Sequence, residues 1–386
     1  MNVRHIIQKS LQMIVVAALF ASCDMMKEDR DDCPTGLYVN FVYDYNIQRA
    51  DMFKDHVGSV TLYVFDESDK LVAQRTVSGG ELSVYGYSIH FTEQELAPGH
   101  QYRLSAVAMQ KDWDAALGTP GAKYRKATLN TGDSRQQIKV SLDRTPSADN
   151  PDYYAVSTAA PLDTLWHTQQ VMTAYAADKP TKTKYHENAD GTATTNAVET
   201  VTVEKDVPTY ATVSLVRDTK HLNISLRELD KPEEVSADDY EVFIIDANGD
   251  VDYENKVVAP TDPLIYRPYA QWTLPATTVI GDVTREEFSA HYDLMFNRLM
   301  YNTTAEDNAV LYIIRKKDGM EVAKLNLPHI LCQGRSLLDI YKYEPQEYLD
   351  REYDYRLDFL LLGGRWTEID IHVLGWSKRI QYETYK

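Results

Sequence analysis

The sequence lacks several features that would indicate an enzyme, a transmembrane protein or a disulfide-rich scaffold. Only three of its 386 residues are cysteines, too few for a disulfide framework. The apolar run near the N-terminus, residues 13–21, has about nine residues, whereas a spanning helix needs about 20. The motifs G-x-S-x-G, G-x-G-x-x-G, the P-loop and H-E-x-x-H are absent. The sequence therefore predicts no catalytic activity, no cofactor and no metal site.

Basic residues are fewer than acidic residues. The chain has 40 Lys and Arg against 58 Asp and Glu, a formal net charge of -18. Residues 1–22 contain Arg4 and Lys9 and no acid, so their removal moves the charge from -18 to -20. An acidic surface of this kind repels nucleic acid and anionic lipid headgroups, and no basic stripe is present. Nucleic acid is therefore excluded as an expected partner.

The N-terminal residues have the composition of a secretion signal. Arg4 and Lys9 precede the apolar run, and Ala21 and Ser22 stand directly before Cys23. The tripeptide resembles the lipobox of bacterial lipoproteins, in which the cysteine sulfur receives a diacylglycerol and the signal is cut off in front of it. Only cysteine offers a soft thiolate for that alkylation. We therefore predict a signal peptide at 1–22 and lipidation of Cys23; the alternative is ordinary signal cleavage beside an incidental cysteine.

A short acidic segment follows Cys23 and predicts a solvated tether over residues 23–35. Its acids are Asp24, Glu28, Asp29, Asp31 and Asp32. They also resemble the signal that directs some lipoproteins to the outer leaflet of the outer membrane. A lipidated Cys23 cannot form a disulfide, so Cys33 and Cys332 are the two cysteines that remain for one. These two could form a disulfide beyond the inner membrane, but the sequence leaves their pairing open.

Alternation of apolar and polar residues recurs along the chain, which is typical of half-buried strands. Leu37, Val39 and Phe41 share one face of the first such segment. Further alternating segments are 59–65, 82–91, 102–109, 137–142, 211–226, 355–362, 366–373 and 376–382. Hairpins are predicted over 241–255, turning at Asn248-Gly249, and over 310–327, turning at Asp318-Gly319. The pattern predicts an all-β protein of two tandem β-sandwiches.

Two local patterns refine this prediction. Residues 176–206 are polar and Thr-rich, which indicates a long surface excursion near a domain boundary. We therefore place an N-terminal sandwich at 36–195 and a C-terminal sandwich at 196–386. Pro98 and Gly99 lead within three residues to Tyr102 at the start of an apolar strand. This is either a tyrosine corner of a Greek-key sandwich or a generic type II turn.

Four segments together resemble the FimB/Mfa-type lipoprotein anchors of type V fimbriae. They are the Cys23 lipobox with its acidic tether and Asp32-Cys33-Pro34, residues 41–46, residues 60–66, and residues 346–355 leading to Trp376. Without the resemblance, the residues of 346–355 predict a short helical turn with an Asp350–Arg351 ion pair that fixes the start of the next strand. Trp376 is predicted to be a large core residue of the last strand.

The resemblance implies a non-catalytic accessory subunit at the base of a fimbria, built from two transthyretin-like Greek-key sandwich domains. It implies a stalk subunit as partner, with attachment to the outer membrane through lipid and contact with host or glycan surfaces only indirectly. Stalk subunits of such fimbriae lose their first strand to a protease and accept a neighbour's strand, whereas the anchor keeps its lipid and its first strand. It would therefore end the polymer.

We expect the C-terminal strand of the anchor to be donated to the last stalk subunit. The residues of this possible donor strand are Ile380, Gln381, Tyr382, Glu383 and Thr384. Two alternatives remain: a surface lipoprotein that captures glycans on exposed aromatic side chains, and a protease-processed stalk or tip subunit. An exposed aromatic platform would favour the first alternative, and loss of the lipidated N-terminus would favour the second.

Overall fold

The computed structural model describes residues 35–84, 86–173, 186–187, 193–194, 197–258, 262–280, 283–338 and 342–381. The predicted signal peptide, most of the tether and the last five residues lie outside these ranges. Within them no helix is long and apolar enough to cross a membrane. The described chain consists mostly of β-strands, which confirms the all-β prediction.

The strands are numbered along the chain. The first fourteen are β1 (Gly36–Val42), β2 (Ser59–Phe65), β3 (Leu71–Ser78), β4 (Ile89–Phe91), β5 (Gln101–Met109), β6 (Tyr124–Lys126), β7 (Lys139–Leu142), β8 (Thr145–Pro146), β9 (Tyr154–Ala155), β10 (Leu165–Thr173), β11 (His186–Glu187), β12 (Ala193–Thr194), β13 (Val201–Thr202) and β14 (Pro208–Arg217). The others are β15 (Lys220–Glu228), β16 (Tyr240–Asp246), β17 (Asp250–Asp252), β18 (Leu264–Tyr266), β19 (Ala270–Ile280), β20 (Val283–Phe296), β21 (Val310–Arg315), β22 (Met320–Asn326), β23 (Asp354–Leu362), β24 (Arg365–Val373) and β25 (Trp376–Gln381).

The helices are short. The α-helices are α1 (Phe53–His56), α2 (Trp113–Leu117), α3 (Leu327–Cys332) and α4 (Pro345–Arg351). The 3₁₀ helices are Gly79–Ser83, Arg135–Gln137, Pro232–Glu234, Ala237–Asp239, Ala305–Asp307 and Gln333–Leu338. The segment 82–91, predicted as one strand, is therefore the end of a 3₁₀ helix followed by the short strand β4.

The first sheet has the strand order β3-β2-β5-β10-β14-β1-β4, and β13 also pairs with β5. The apolar faces predicted from alternation form its core, because Leu37, Val39, Val60, Leu62 and Val64 are fully buried. β1 lies inside this sheet, parallel to β14 on one side and antiparallel to β4 on the other. Both edges of the first strand are therefore hydrogen-bonded.

The first sheet extends past the boundary placed at residue 195. The described part of the polar excursion returns to the same sheet, because β13 pairs with β5 and β14 pairs with β1 and β10. Residues 176–206 therefore lie in sequence between β10 and β14, two strands that pair in one sheet. The chain leaves the first sheet at Asp218 and Thr219, both fully buried, and β15 begins the next sheet.

Two six-stranded sheets make up the second sandwich. One has the order β19-β20-β15-β23-β24-β25 and the other the order β22-β21-β16-β18-β9-β8. Their inner faces share one apolar core, represented by Leu222, Ile224, Ile244, Leu311 and Leu357, all fully buried. β15 and β23 are parallel, and the remaining pairs of the first of these sheets are antiparallel.

The two halves of the chain exchange strands. β9 comes before the predicted boundary but pairs with β18 of the second sandwich. β17 comes after it but pairs with β7, in a three-stranded sheet with β6. The core of the second sandwich also continues onto the outer face of the first sheet, through Tyr63 and Phe65. The halves are therefore packed together instead of being joined by a simple linker.

The two predicted hairpins have different outcomes. β21 and β22 pair antiparallel around Asp318 and Gly319, which confirms the second hairpin. The first is wrong, because β16 pairs with β18 and β21 while β17 pairs with β7. The reason lies in the turn: the side-chain amide of Asn248 is buried and donates to the carbonyl oxygens of Asn297 (3.1 Å) and Arg298 (3.0 Å). These bonds hold the turn against another loop, so the chain crosses to a different sheet.

The Pro-Gly turn before β5 is a tyrosine corner. The hydroxyl of Tyr102 donates to the carbonyl oxygen of Ala97 at 3.1 Å, across five residues. Gly99 has a φ of 79°, in the left-handed region that glycine tolerates. The turn and the phenol bond fix the start of β5 together, so the tyrosine corner is the correct alternative.

Candidate functional site

The start of β1 is fixed at one end of the first sheet. Gly36 packs so tightly that a Cβ there would lie 2.1 Å from the carbonyl oxygen of Phe91, and its φ is 109°. Nε2 of His90 donates to the carbonyl oxygen of Thr35 at 2.8 Å. The ring of Tyr38 stacks on that of His90, with 4.1 Å between centroids. We call this end, where Gly36 pairs with Pro208, the distal end. Cys23, the predicted lipidation residue, precedes it and lies outside the described residues.

The other end of β1 meets the second sandwich. Tyr43 lies beside Tyr353, with 6.5 Å between ring centroids, and the guanidinium carbon of Arg351 lies 4.0 Å from the centroid of Tyr45. Nε of Arg49 donates to the hydroxyl of Tyr343 at 2.9 Å. The length of β1, about 20 Å, therefore separates the distal end from this junction. The N-terminus therefore enters the first sheet at the end of β1 opposite to this junction.

Next to the junction, a buried ion pair fixes helix α4 within the second sandwich. Nε and Nη2 of Arg298 donate to the two carboxylate oxygens of Asp350 at 3.0 and 2.7 Å. Nζ of the fully buried Lys220 donates to the carbonyl oxygens of Asp350 (3.0 Å) and Glu352 (2.9 Å). Gln346 adds a bond from its amide to Asp350. These contacts fix the end of α4 to the first residues of β15.

The predicted helical turn at 348–351 is confirmed, but its ion pair is different. Asp350 pairs with Arg298 from a distant loop, not with the adjacent Arg351. Nε of Arg351 donates to Glu347 at 2.9 Å, one turn earlier in α4. Neighbouring residues point to different sides of a helix, so an Asp350–Arg351 pair was not available. The sequence did not indicate Arg298 and Lys220, because both lie more than 50 residues from their partner Asp350.

Burial shifts the pKa of two charged groups at this junction. It lowers the pKa of Lys220 to about 8, against the attraction of the Asp350 carboxylate. It raises the pKa of Glu352 to about 7, although the backbone N–H groups of Asp354 and Tyr353 both donate to its Oε1. A carboxyl with a raised folded-state pKa stabilises the fold when protonated. That contribution is complete below pH 4.5 and is lost as the pH rises through about 7.

The substitution Glu352→Gln is therefore expected to stabilise the protein at neutral to alkaline pH. Glutamine keeps an oxygen acceptor for the two N–H groups but carries no charge to desolvate. We expect the free energy of unfolding to rise by about 1–3 kcal/mol at pH 8 and to change little at pH 5. Urea denaturation of both proteins at the two pH values measures this. Glu344→Gln, at an exposed position just before α4, is the control; equal stability of Glu352→Gln and the native chain at pH 8 would contradict the prediction.

The last strand differs from its prediction. Trp376 is 67% exposed, so the predicted core role is wrong. It begins β25, the last strand of its sheet, directly after the Leu374-Gly375 turn. Ile380 and Gln381 pair with Ile369 and Glu368 of β24. The other predicted donor residues, Tyr382, Glu383 and Thr384, lie outside the described residues.

Cys332 lies at the end of α3 and is buried. Burial raises the pKa of its thiol to about 12, and Sγ donates to the carbonyl oxygen of Pro345 at 3.6 Å. Cys33 lies outside the described residues, so the disulfide stays a prediction.

The described histidines are spread widely over strands, helices and loops. Within the described ranges, no group of three His, Cys, Asp or Glu side chains is placed to hold a metal ion. His221 contacts Asp293 and Asp354, and His372 contacts Asp358. All of these side chains lie on the outer face of one sheet of the second sandwich.

Comparison with known protein families identifies the chain's relatives. The model of the fimbrillin-A associated anchor proteins Mfa1 and Mfa2 matches residues 30–382. The chain belongs to this family. The resemblance stated from the sequence is therefore confirmed. Membership assigns this anchor-family protein a fimbrial accessory role, association with other fimbrial subunits and a fimbria-associated location at the cell surface.

Solved structures resemble this anchor-family chain over most of its length. A candidate polysaccharide-binding protein from Bacteroides thetaiotaomicron is 25% identical, with a TM-score of 0.65, covering 90% of this chain and 98% of the other. A candidate adhesin from the same organism is 24% identical, with a TM-score of 0.65 and coverages of 90% and 99%. The fimbrial anchor protein Mfa2 from Porphyromonas gingivalis shares the fold at 17% identity, with a TM-score of 0.53 and coverages of 89% and 99%. None of the curated proteins matches this sequence.

Proposed function

We propose that this chain is the lipid-anchored subunit at the base of a surface fimbria, where it attaches the stalk to the outer membrane and ends its polymerisation. Cys23 carries the lipid in this proposal, and the acidic residues 23–35 connect it to the first sheet. The protein acts by binding alone and catalyses no reaction. Its place in the anchor family supports the fimbrial part of this proposal.

The direction of β1 carries the membrane part. The tether joins β1 at the distal end, and β1 then runs about 20 Å toward the junction with the second sandwich. A lipid at Cys23 would therefore hold the first sheet next to the membrane. The second sandwich, with the C-terminal strand β25, would extend away from the membrane toward the stalk. This order is the one that a base subunit requires.

The position of β1 supports the proposed end of polymerisation. β1 is bonded to β14 and β4 and supplies three apolar residues to the core of the first sheet. These residues are Leu37, Val39 and Phe41. A subunit that keeps this strand has no open groove there for a neighbour's donor strand. A stalk subunit could therefore not be added at the first sheet.

The last strand is the proposed attachment point for the stalk. β25 is the terminal strand of its sheet, bonded to β24 on one side only among the described residues. An edge strand presents free backbone donors and acceptors to a partner chain. Because Ile380 and Gln381 are already paired with β24, the donated segment would extend β25 through Thr384 to the neighbouring subunit.

Truncation after Arg379 should therefore detach the stalk. It removes the last residues of β25 and the segment beyond it, so the consecutive backbone hydrogen bonds of the joint are lost. We expect the yield of crosslinks between this subunit and the stalk to fall by at least about tenfold. Ser377→Ala, an exposed change in the same strand, is the control. Unchanged crosslinking of a truncated chain with a normal melting temperature would refute the proposed attachment point.

Mass spectrometry of the protein from outer membranes, after mild crosslinking, tests the whole proposal. A lipidated Cys23 in a chain crosslinked to a fimbrial stalk subunit is the expected result. An N-terminus well beyond Cys33 would instead indicate a processed stalk or tip subunit. A lipidated Cys23 with no fimbrial partner would favour glycan capture as the main function, a role that the name of the Bacteroides polysaccharide-binding relative also suggests.

A further inference from the structure

A cavity of about 550 Å³ lies in the second sandwich, between α3, the 3₁₀ helix Gln333–Leu338 and β25. Its lining is basic, in contrast to the chain as a whole. The basic side chains that line it are His329, Arg335, Lys342 and Lys378, and the acid is Glu344. The chain as a whole has 58 Asp and Glu against 40 Lys and Arg, so the lining differs from the average composition in the sign of its charge.

Two of these cations are held in place by neutral groups. Nη1 of Arg335 donates to the carbonyl oxygen of Tyr343 at 3.0 Å, and Nζ of Lys378 donates to Oγ of Ser336 at 2.8 Å. Within the described part of the chain, no carboxylate lies within 4.0 Å of either cation. By contrast Arg379, the next residue of β25, pairs with Glu368 and Asp370. Guanidinium and ammonium groups of this kind form strong hydrogen bonds with anions.

An exposed aromatic ring lies beside these cations. Trp376 and Lys378 are two residues apart in β25, so they lie on the same face of the strand, about 7 Å apart. Val373 is the cross-strand partner of Trp376 and packs against Gly334 of the 3₁₀ helix. A Cβ added to Gly334 would lie 2.6 Å from Cγ2 of Val373. Trp376 therefore shares a strand face with Lys378, which lines the cavity. Its indole, 67% exposed, offers a flat apolar surface on which the C–H groups of a sugar ring can pack.

We propose that this cavity binds the carboxylate or sulfate group of an acidic saccharide. Arg335 and Lys378 hold the anionic group, Lys342 adds charge at the rim, and Trp376 packs against the sugar ring. An acidic peptide would satisfy the cations, but it would leave the exposed indole without a role. The cavity volume lies in the range of small-ligand sites. The proposal does not depend on whether the chain anchors a fimbria.

Isothermal titration calorimetry of the purified full chain tests this site, with a heparin tetrasaccharide as the probe. We expect saturable binding that weakens with added salt. Lys378→Gln should reduce the affinity about tenfold, the loss of one charge-assisted hydrogen bond. The matched control is Arg379→Gln, which removes the same charge one residue away on the opposite face and should leave the affinity within about twofold. Lys342→Gln, at an exposed position, gives a second test that does not depend on the packing of Lys378.

Trp376→Ala tests whether the bound anionic group belongs to a sugar or is a free anion. It should weaken binding of the tetrasaccharide about fivefold, because one aromatic contact with the sugar ring is lost. Binding of inorganic sulfate, which does not contact the indole, should be unchanged. Three results would overturn the proposal: no saturable binding of the tetrasaccharide, equal losses in Lys378→Gln and Arg379→Gln, or tighter binding of a hexaglutamate peptide than of the saccharide. The last would identify an acidic peptide as the ligand.

Discussion

Cys23→Ser is expected to release the protein from the outer membrane and the fimbriae from the cell. Serine has no thiolate to accept the diacylglycerol, so the acyl chains that would hold the protein in the bilayer are never attached. Each buried methylene contributes about 0.8 kcal/mol, and anchoring by several chains is stable where one is marginal. We therefore expect the membrane-bound fraction to fall by at least about tenfold. Fractionation of cells followed by immunoblotting of membrane and medium measures it.

Cys33→Ser is the matched control for this prediction. It changes the other N-terminal cysteine in the same tether and leaves the lipobox intact, so membrane attachment should be unchanged. If the Cys23→Ser protein stays on the membrane, ordinary signal cleavage with attachment through another part of the chain becomes the better interpretation. Detached fimbriae of normal composition in the medium would show that only the base of the fimbria has been affected.

Arg298→Met should cause one of the largest losses of stability available to a single substitution in this chain. The variant leaves the Asp350 carboxylate, 8% exposed, without its bidentate partner. Removing one member of a buried pair costs about 3–5 kcal/mol, because the remaining charge is uncompensated. For a chain of this length that corresponds to a melting temperature lower by about 4–7 °C. Differential scanning calorimetry measures the shift directly.

The double variant Arg298→Met, Asp350→Leu separates the pair from its surroundings. Replacing both charges by apolar side chains should recover most of the lost stability, since no unpaired charge remains. Arg379→Met, which breaks the exposed contacts with Glu368 and Asp370, is the matched surface control and should cost less than about 1 kcal/mol. Equal losses in Arg298→Met and Arg379→Met would show that burial does not determine the strength of the pair at the junction.

The sequence by itself determined the features that depend on neighbouring residues. Alternating side chains identified β1 and β2, because period two places Leu37, Val39 and Phe41 on one face of any extended segment. The Asp318-Gly319 turn identified the hairpin of β21 and β22, and Pro98-Gly99 before Tyr102 raised the tyrosine corner. The N-terminal order of charge, apolar run and Cys23 predicted lipidation, which no described residue tests. Each of these signals lies within one short stretch of the sequence.

Only the tertiary structure decided which distant residues meet. Alternation places a side chain on a face but does not choose the strand's partner, so the sequence could not show that β14 joins the first sheet or that β17 pairs with β7. The same limit explains why Trp376, apolar and in a strand, is exposed: it is the first residue of an edge strand and directly follows a turn. Pairing, burial and charge neutralisation, as in Arg298 with Asp350, arise from contacts between residues far apart in the chain.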